Sequence, residues 1–290
     1  MNMNLNNIKE SFMKGVFLVA ACTSVLAVAL ICVFLFANGL PAMQKIGVFD
    51  FLLGQTWRPS NDIYGILPMI LGSIYVTAGA IVIGVPIGLL TAVFMAHFCP
   101  GVIYKPLKAA TELLAGIPSI VYGFFGLVVI VPFIRTNFDS KGQCMLTAAI
   151  LLGIMILPTI IGVSESALRA IPKHYYEGAL ALGATHERSI FKVVLPAAKS
   201  GVLAGVVLGI GRAIGETMAV MMVAGNQPRM PEGIFKGVRT MTTNIVMEMG
   251  YAADLHREAL IATAVVLFVF ILIINLSVAI LNRRVSNGGN

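Results

Sequence analysis

Two charged residues lie within an otherwise apolar stretch near the C-terminal end of the sequence. Arg212 and Glu216 interrupt the stretch 201–224, and a helix places residues four apart on one face. A charge near the middle of a bilayer costs on the order of 2.5–3.5 kcal/mol, so such a pair must face a bundle interior or a water-filled cavity. A guanidinium matches an oxyanion through two parallel hydrogen bonds. We therefore predict that Arg212 binds a transported oxyanion and that Glu216 holds Arg212 when the site is empty.

The same pair also admits a structural interpretation, in which an internal ion pair fixes helix packing. Gly201, Gly205 and Gly209 recur every four residues, which indicates close helix contact under either interpretation. In the functional interpretation, Glu216 could also accept a hydrogen bond from a protonated oxyanion.

Three further residues are candidates for the same substrate path. Ser119 follows Pro118 and could open a helix whose N-terminal amides face an anion, although an ordinary helix start explains it equally. Thr217 adjoins Glu216, and Asn226 lies at the outer mouth, where it would guide the ion or remain a solvated loop residue.

Composition assigns the elements that must position these residues to a membrane. The chain of 290 residues is 58% hydrophobic and 11% charged, whereas soluble proteins average about 45–50% apolar and about 25% charged. The apolar residues form blocks of the length that a membrane helix needs, ~20 residues. We predict an all-α integral membrane protein with six transmembrane helices at Val16–Ala37, Leu67–Phe94, Leu113–Phe133, Met145–Val163, Gly201–Ala224 and Ala259–Leu281.

The charged residues predict the orientation of these helices. If the N-terminus lies inside, more Lys and Arg residues fall on the inner segments than on the outer ones, and Arg283 and Arg284 follow the last span directly. Cationic segments favour the cytoplasmic side, so both termini are expected in the cytoplasm. The net charge of +7 is explained by these loops, and no nucleic-acid partner is predicted.

The sequence offers no catalytic or cofactor site. No GxxxxGK[ST] phosphate-binding loop is present, so ATP hydrolysis would need a partner chain. His97, His174, His186 and His256 have no nucleophile or metal-binding partner in sequence, which disfavours a membrane-embedded enzyme. A secondary transporter with Glu216 as proton carrier is a second rival, but the inverted repeats typical of that class are not visible. No cofactor and no metal are predicted.

A segment between the fourth and fifth predicted spans resembles a docking element. The residues from Lys173 to Leu182 predict a short amphipathic helix with Pro172 at its start and Gly183 at its end. Such a helix could lie on anionic lipid or enter the groove of a partner. The segment resembles the EAA motif of ABC-importer permeases, with Gly178 and Val193 in place of the usual Ala and Ile. The matching positions are Glu177, Gly178, Ala179, Gly183, Val193, Leu195 and Pro196. This resemblance implies a coupling helix that docks on a separate ATPase.

Three other runs, 51–59, 115–127 and 211–226, resemble phosphate-specific ABC transporter permeases of the PstC type. The resemblance implies a MetI-like, type I importer architecture in a bacterial inner membrane, with phosphate as substrate. It also implies a PstA-type second permease in a heterodimer, two ATP-binding subunits and a periplasmic phosphate-binding protein. Sulfate or molybdate is the alternative substrate. We expect an anchor helix with its outer loop at 1–63, the permease domain at 64–284 and a cytoplasmic tail at 285–290.

Overall fold

Helices form almost the whole chain in the computed structural model, which describes the backbone of residues 2–287 and the side chains of residues 9–277 and 280. In chain order the helices are α1 (Asn2–Ile46), α2 (Val48–Leu53), α3 (Leu67–Val93), α4 (Gly101–Gly116), α5 (Ser119–Phe125), α6 (Val131–Asn137), α7 (Met145–Arg169), α8 (Lys173–Ala181), α9 (His186–Ser189), α10 (Leu195–Ala197), α11 (Lys199–Gly215), α12 (Met218–Val223), α13 (Met241–Met249) and α14 (Asp254–Asn287). Short π-helical turns extend α3, join α5 to α6 and join α9 to α10: Phe94–Phe98, Gly126–Ile130 and Ile190–Val194. A small antiparallel hairpin pairs β1 (Trp57–Arg58) with β2 (Ile63–Tyr64), and a 3₁₀ turn, Pro59–Asn61, lies between the two strands.

Five helices in the described part of the chain are long and apolar enough to cross a membrane. A sixth crossing results if the bent pair His186–Ala197 and Lys199–Gly215, which meet at 71°, is taken as one span. The predicted class of a six-helix membrane protein is confirmed. The first, second, fourth and sixth predicted spans coincide with α1, α3, α7 and α14.

The third predicted span, Leu113–Phe133, is wrong at its start. Helix α4 ends at Gly116, Ile117 is extended with φ −69° and ψ 126°, and a new helix begins at Ser119. Pro118 explains the break because proline has no N–H and disfavours the helical conformation of the residue before it. The helix that can cross the membrane is therefore Ser119–Asn137.

The fifth predicted span, Gly201–Ala224, is also wrong, because it is not one helix. Helix α11 ends at Gly215, and Glu216 is extended with φ −70° and ψ 127°. The six-residue helix α12 then follows Thr217. The sequence from Gly201 onward contains no proline before the break, so apolar patterning alone could not locate it.

Glycines allow the central helices to approach closely. A methyl group added at Gly84 of α3 would come within 2.7 Å of the Ile156 side chain and 2.8 Å of the Gly153 carbonyl oxygen in α7. The stripe Gly201, Gly205 and Gly209 of α11 also lies against α7 in the same way, and Gly209 meets the Ile156 side chain that Gly84 meets from α3. The predicted close contact of this stripe is confirmed, and α7 is the element buried between α3 and α11.

Helices α1 and α14 contact each other mainly through their outer halves. Gly39 of α1 lies against Ala262 and Val265 of α14, and Lys45 forms an ion pair with Glu258 at 2.7 Å. The described residues of α1 before Leu35 are almost all exposed and mostly apolar. Helix α1 therefore packs against the bundle through its C-terminal part, and the rest of its surface is available to lipid or another chain.

The α3–α7 contact yields a stability prediction. Alanine normally favours a helix over glycine by about 1 kcal/mol, but Gly84→Ala would drive a methyl group into Ile156 and the Gly153 backbone. We expect Gly84→Ala to lower the midpoint of thermal unfolding of the detergent-purified protein. Gly162→Ala in α7 is the matched control, because nothing lies within 4 Å of the position of its added methyl group. Equal midpoints for both variants would contradict the packing described.

Candidate functional site

Side-chain hydrogen bonds stabilise the break between α11 and α12, which interrupts an apolar segment. Glu216 Oε1 accepts hydrogen bonds from the backbone N–H groups of Thr217 and Ala219, both at 3.1 Å. Thr242 Oγ1 of α13 donates to the Glu216 carbonyl oxygen at 3.3 Å, and Thr217 Oγ1 donates to the Gly215 carbonyl oxygen at 3.2 Å. Since unsatisfied backbone groups are costly where water is scarce, these contacts make the break a stable feature.

The prediction that Arg212 and Glu216 share one helix face is wrong. Arg212 lies in the last turn of α11, whereas Glu216 has left the helix. Among the side chains that the structure describes, the two residues form no ion pair within 4.0 Å. The reason is that Glu216 turns one carboxylate oxygen to the start of α12, where a negative charge is favourable. Glu216 therefore does not neutralise Arg212.

Arg212 is half-buried in the last turn of α11, shortly before the break at Glu216. The other break, between α4 and α5, is bridged by the Tyr122 hydroxyl, which donates to the Leu114 carbonyl oxygen at 2.8 Å. Arg212 itself forms no ion pair with an acidic residue in the part of the chain whose side chains are described.

The two half-helices that follow the breaks run side by side. Gly123 of α5 lies against Ala219 and Met222 of α12, and Gly126, directly after the end of α5, lies against Val223. Because the contacts advance in the same direction along both segments, α5 and α12 are parallel and begin at the same level. Ser119 and Thr217, both predicted for the substrate path, therefore lie at neighbouring helix starts.

Asn226 lies at the opposite end of α12 from the break. Its Nδ2 donates to the Met221 carbonyl oxygen at 2.6 Å, and its own carbonyl oxygen accepts from Arg239 Nε at 3.0 Å. Its backbone is left-handed, with φ 50°, a conformation that asparagine tolerates better than most residues. The structure thus separates Asn226 from Arg212 by the length of α12, roughly 9 Å at 1.5 Å per residue.

Arg239 belongs to a buried cluster of charged and aromatic side chains that the sequence did not indicate. Its Nη1 donates to Glu248 Oε1, and Glu248 Oε2 also accepts hydrogen bonds from Trp57 Nε1 at 2.9 Å and from His256 Nε2 at 2.8 Å. Glu248 is only 6% exposed. The cluster joins the β-hairpin, α13 and α14 from distant parts of the chain, so no local sequence signal could have identified it.

The loop between α7 and α11 forms a helical hairpin much as predicted. Helix α8 ends one residue before the predicted Leu182, and Gly183 adopts φ 83° with its N–H bonded to the Leu180 carbonyl oxygen. Thr185 caps α9 through its hydroxyl, which accepts from the Arg188 N–H at 3.3 Å. A hydrogen bond of 2.7 Å between the Tyr176 hydroxyl and His186 Nδ1 fastens α8 to α9.

The tip of this hairpin exposes apolar side chains. Leu182 is 91% exposed, and Tyr175 and Leu180 are also exposed. Of the motif positions, Glu177, Gly178, Gly183 and Pro196 are exposed, Val193 and Leu195 are half-buried, and Ala179 is buried. An exposed apolar tip beside an acidic residue is a surface that fits a partner groove.

A second ion cluster fastens the base of the hairpin to the bundle. Glu165, at the end of α7, accepts hydrogen bonds from the Tyr104 hydroxyl at 2.6 Å, Lys108 Nζ at 2.8 Å and Arg169 Nε at 2.9 Å. Arg169 Nη2 also donates to the Met95 carbonyl oxygen at 2.8 Å. The hydrogen bond to Glu165 raises the pKa of Lys108 above its usual value. These contacts join α3, α4 and α7 where the chain enters the loop.

The family match, the related sequences and the similar structures all point to the same family of transport proteins. Residues 84–287 match the family described as binding-protein-dependent transport system inner membrane component. The chain is 40% identical over 274 residues to a probable ABC transporter permease protein, YqgH, of Bacillus subtilis, covering 90% of this chain and 89% of that protein. It is 35% identical over 265 residues to the phosphate transport system permease protein PstC of Mesorhizobium japonicum, covering 84% and 81%. In fold it is similar to a chain of the MetNI methionine ABC transporter, with TM-score 0.63, 21% identity and coverage of 79% of this chain and 99% of that one.

The capping role of Glu216 can be separated from its charge. Glu216→Ala removes the acceptor for two backbone N–H groups, and loss of such a cap costs about 0.5–2 kcal/mol. Glu216→Gln keeps an oxygen at the same position. We expect thermal unfolding of the purified protein to show a clear loss for Glu216→Ala and a small one for Glu216→Gln. If both variants lose stability equally, the carboxylate charge, and not the cap, holds the break.

Proposed function

This chain belongs to the binding-protein-dependent transport system inner membrane component family of ABC-importer permeases, and from that premise we infer that it carries inorganic phosphate across the membrane. The protein is a transport subunit rather than an enzyme, and in its family a permease works with a second permease, ATPase subunits and a substrate-binding protein. Its relatives named as phosphate permeases support phosphate as substrate.

The observation that carries this proposal is that Arg212, in the last turn before a helix break, forms no ion pair among the side chains that the structure describes. Glu216, its nearest acidic neighbour in sequence, is used to cap α12. A cation in a low-dielectric setting needs a counter-charge, and here that charge would come from the transported ion. The guanidinium then binds phosphate oxygens in a bidentate manner, and Ser119 and Thr217, at the neighbouring helix starts, contact the same ion.

The exposed hairpin would supply the coupling to ATP hydrolysis. In this proposal Glu177, Gly178, Ala179, Gly183, Leu195 and Pro196 form the ATPase contact, and the chain has no ATPase site of its own. The hairpin leads through the 71° bend directly into α11, the helix that ends beside Arg212. Movement of the hairpin on the ATPase would therefore be transmitted along α11 and would turn the central site from the outer to the inner side.

The remaining features of the proposal concern the assembly. The second permease is of the PstA type, two ATP-binding subunits lie on the cytoplasmic side, and a phosphate-binding protein delivers the ion from outside. Both termini then lie in the cytoplasm. Residues 1–63 form the anchor and outer loop, residues 64–284 the transport domain and residues 285–290 a tail. The contact of α1 with the bundle through one end supports that division.

Uptake of radiolabelled phosphate by cells tests the role of Arg212. Hydrogen bonds to a charged group are worth about 1.5–3 kcal/mol each, so we expect Arg212→Gln to reduce uptake by at least about tenfold at an unchanged membrane level of protein. Arg257→Gln, at an exposed outer arginine, is the matched control and keeps normal uptake.

Sulfate and molybdate are added as competitors, and inhibition by either as strong as that by unlabelled phosphate would contradict phosphate specificity. Normal uptake by a stable Arg212→Gln protein would remove Arg212 from the path.

ATPase activity of the assembled importer tests the hairpin. Glu177→Lys reverses an exposed charge beside the apolar tip, and we expect it to abolish the ATPase stimulation that phosphate-loaded binding protein produces. Glu10→Lys reverses an exposed acidic residue on α1 and should leave the stimulation intact. Full stimulation in the Glu177→Lys complex would place the ATPase contact elsewhere.

A further inference from the structure

A cavity of about 480 Å³ opens on the outer side of the bundle, away from Arg212. Its walls come from two loops, residues 137–144 before α7 and residues 225–238 after α12, together with the end of α6. Four cationic side chains line it: Arg135, Lys141, Arg229 and Lys236. Asp139 is the acidic residue in the lining. The volume lies within the range of about 300–1,000 Å³ that small-molecule sites occupy.

Backbone hydrogen bonds hold the two loops together, so the cavity is a built feature. The Met145 and Leu146 N–H groups donate to the carbonyl oxygens of Lys236 and Ile234 at 3.0 and 2.9 Å. Ser140 Oγ donates to the Phe235 carbonyl oxygen at 3.0 Å. Gly225 and Val238 form a parallel bridge at the base of the second loop. The positions of the cationic residues are therefore set by the fold.

Some cationic residues of the outer segments are paired with acidic residues, whereas those that line the cavity are not. Lys45 is paired with Glu258, and Arg239 is paired with Glu248. None of the four cavity cations forms an ion pair with an acidic residue in the part of the chain whose side chains are described, and neither does Asp139. Like charges that line one cavity repel each other, and an anion in the cavity would relieve that repulsion.

The cavity also contains an acceptor that needs a donor. Gln227 lines the cavity, and its Oε1 is buried without a hydrogen-bond partner among the described residues. Gly237 keeps the amide in place, since a methyl group added there would come within 3.1 Å of Gln227 Cδ. An unpaired buried carbonyl oxygen costs about 1–3 kcal/mol. The cationic residues select a negative charge, and Gln227 adds a preference for a ligand that also donates a hydrogen bond.

We propose that this cavity is an outer anion site that binds a partly protonated tetrahedral oxyanion, hydrogenphosphate, before the ion reaches Arg212. Its oxygens accept from Arg135, Lys141, Arg229 and Lys236, and its O–H donates to Gln227 Oε1 once the amide turns from its buried position toward the cavity. Sulfate has the same shape and charge but no proton at neutral pH, so it satisfies the cations and leaves Gln227 unpaired. The choice of phosphate rests on the proposed function, whereas the existence of an anion site rests on the cavity alone.

Protection of lysines from acylation tests the site in the complete importer complex, purified without its binding protein. A bound dianion keeps nearby amines protonated and unreactive, so inorganic phosphate at fixed ionic strength should slow acylation of Lys141 and Lys236 by about threefold to tenfold. Mass spectrometry reads each lysine separately. Lys45 and Lys105, which lie outside the cavity, are the internal controls and should react at unchanged rates.

Three comparisons make the result decisive. Sulfate at equal concentration should protect both lysines less than phosphate does, and Gln227→Ala should remove that difference. The double variant R135Q/R229Q, which leaves Gln227 intact, should weaken protection by either anion. Arg212→Gln should leave protection unchanged, so a failure of the transport role of Arg212 can be told apart from a failure of this site.

Several outcomes would overturn the proposal. Equal slowing at Lys45 and Lys105 would mean a general salt effect. Equal protection by sulfate and phosphate in the unaltered complex would remove the role of Gln227. Protection of Lys141 and Lys236 by added phosphate-free binding protein, with none by phosphate alone, would show that the cavity receives an acidic protein surface instead of the ion.

Discussion

A polypeptide in a membrane must satisfy its backbone hydrogen bonds internally, and the break at Glu216 shows how this chain meets that constraint while interrupting a helix. The carboxylate accepts from two N–H groups at the start of α12, and Thr242 and Thr217 donate to the carbonyl oxygens at the end of α11. Without such partners each exposed group would cost several kcal/mol. The break in turn fixes where α11 ends, and therefore where the guanidinium of Arg212 lies.

The same break places two half-helices in register. Helices α5 and α12 run parallel from neighbouring starts because Gly123 and Gly126 admit α12 at close distance. Pro118 separates α4 from α5, while the Glu216 side chain caps the start of α12. A proline in one case and a capping carboxylate in the other thus accompany two similar helix breaks.

Ion clusters stabilise both ends of the bundle. Glu165 joins α3, α4 and α7 at the base of the helical hairpin, and Glu248 joins the β-hairpin, α13 and α14 at the opposite end. Each carboxylate is almost fully buried and has several donors, which is the condition under which a buried charge is tolerated. Between these clusters, glycines of α3 and α11 allow both helices to pack closely against the apolar side chains of α7.

The sequence by itself determined the membrane class, most of the spans and the helical hairpin α8–α9, because these depend on local composition and spacing. Block length reveals a membrane helix, and Gly183 reveals a helix end through its own backbone preference. Only the tertiary structure decided that Glu216 caps a half-helix instead of pairing with Arg212. The pattern of apolar residues does not predict a helix break that occurs without a proline. It alone showed that Lys45 and Arg239 are neutralised while Arg135, Lys141, Arg229 and Lys236 share a cavity. Charge pairing is set by which loops meet, and residues far apart in sequence carry no local signal of that meeting.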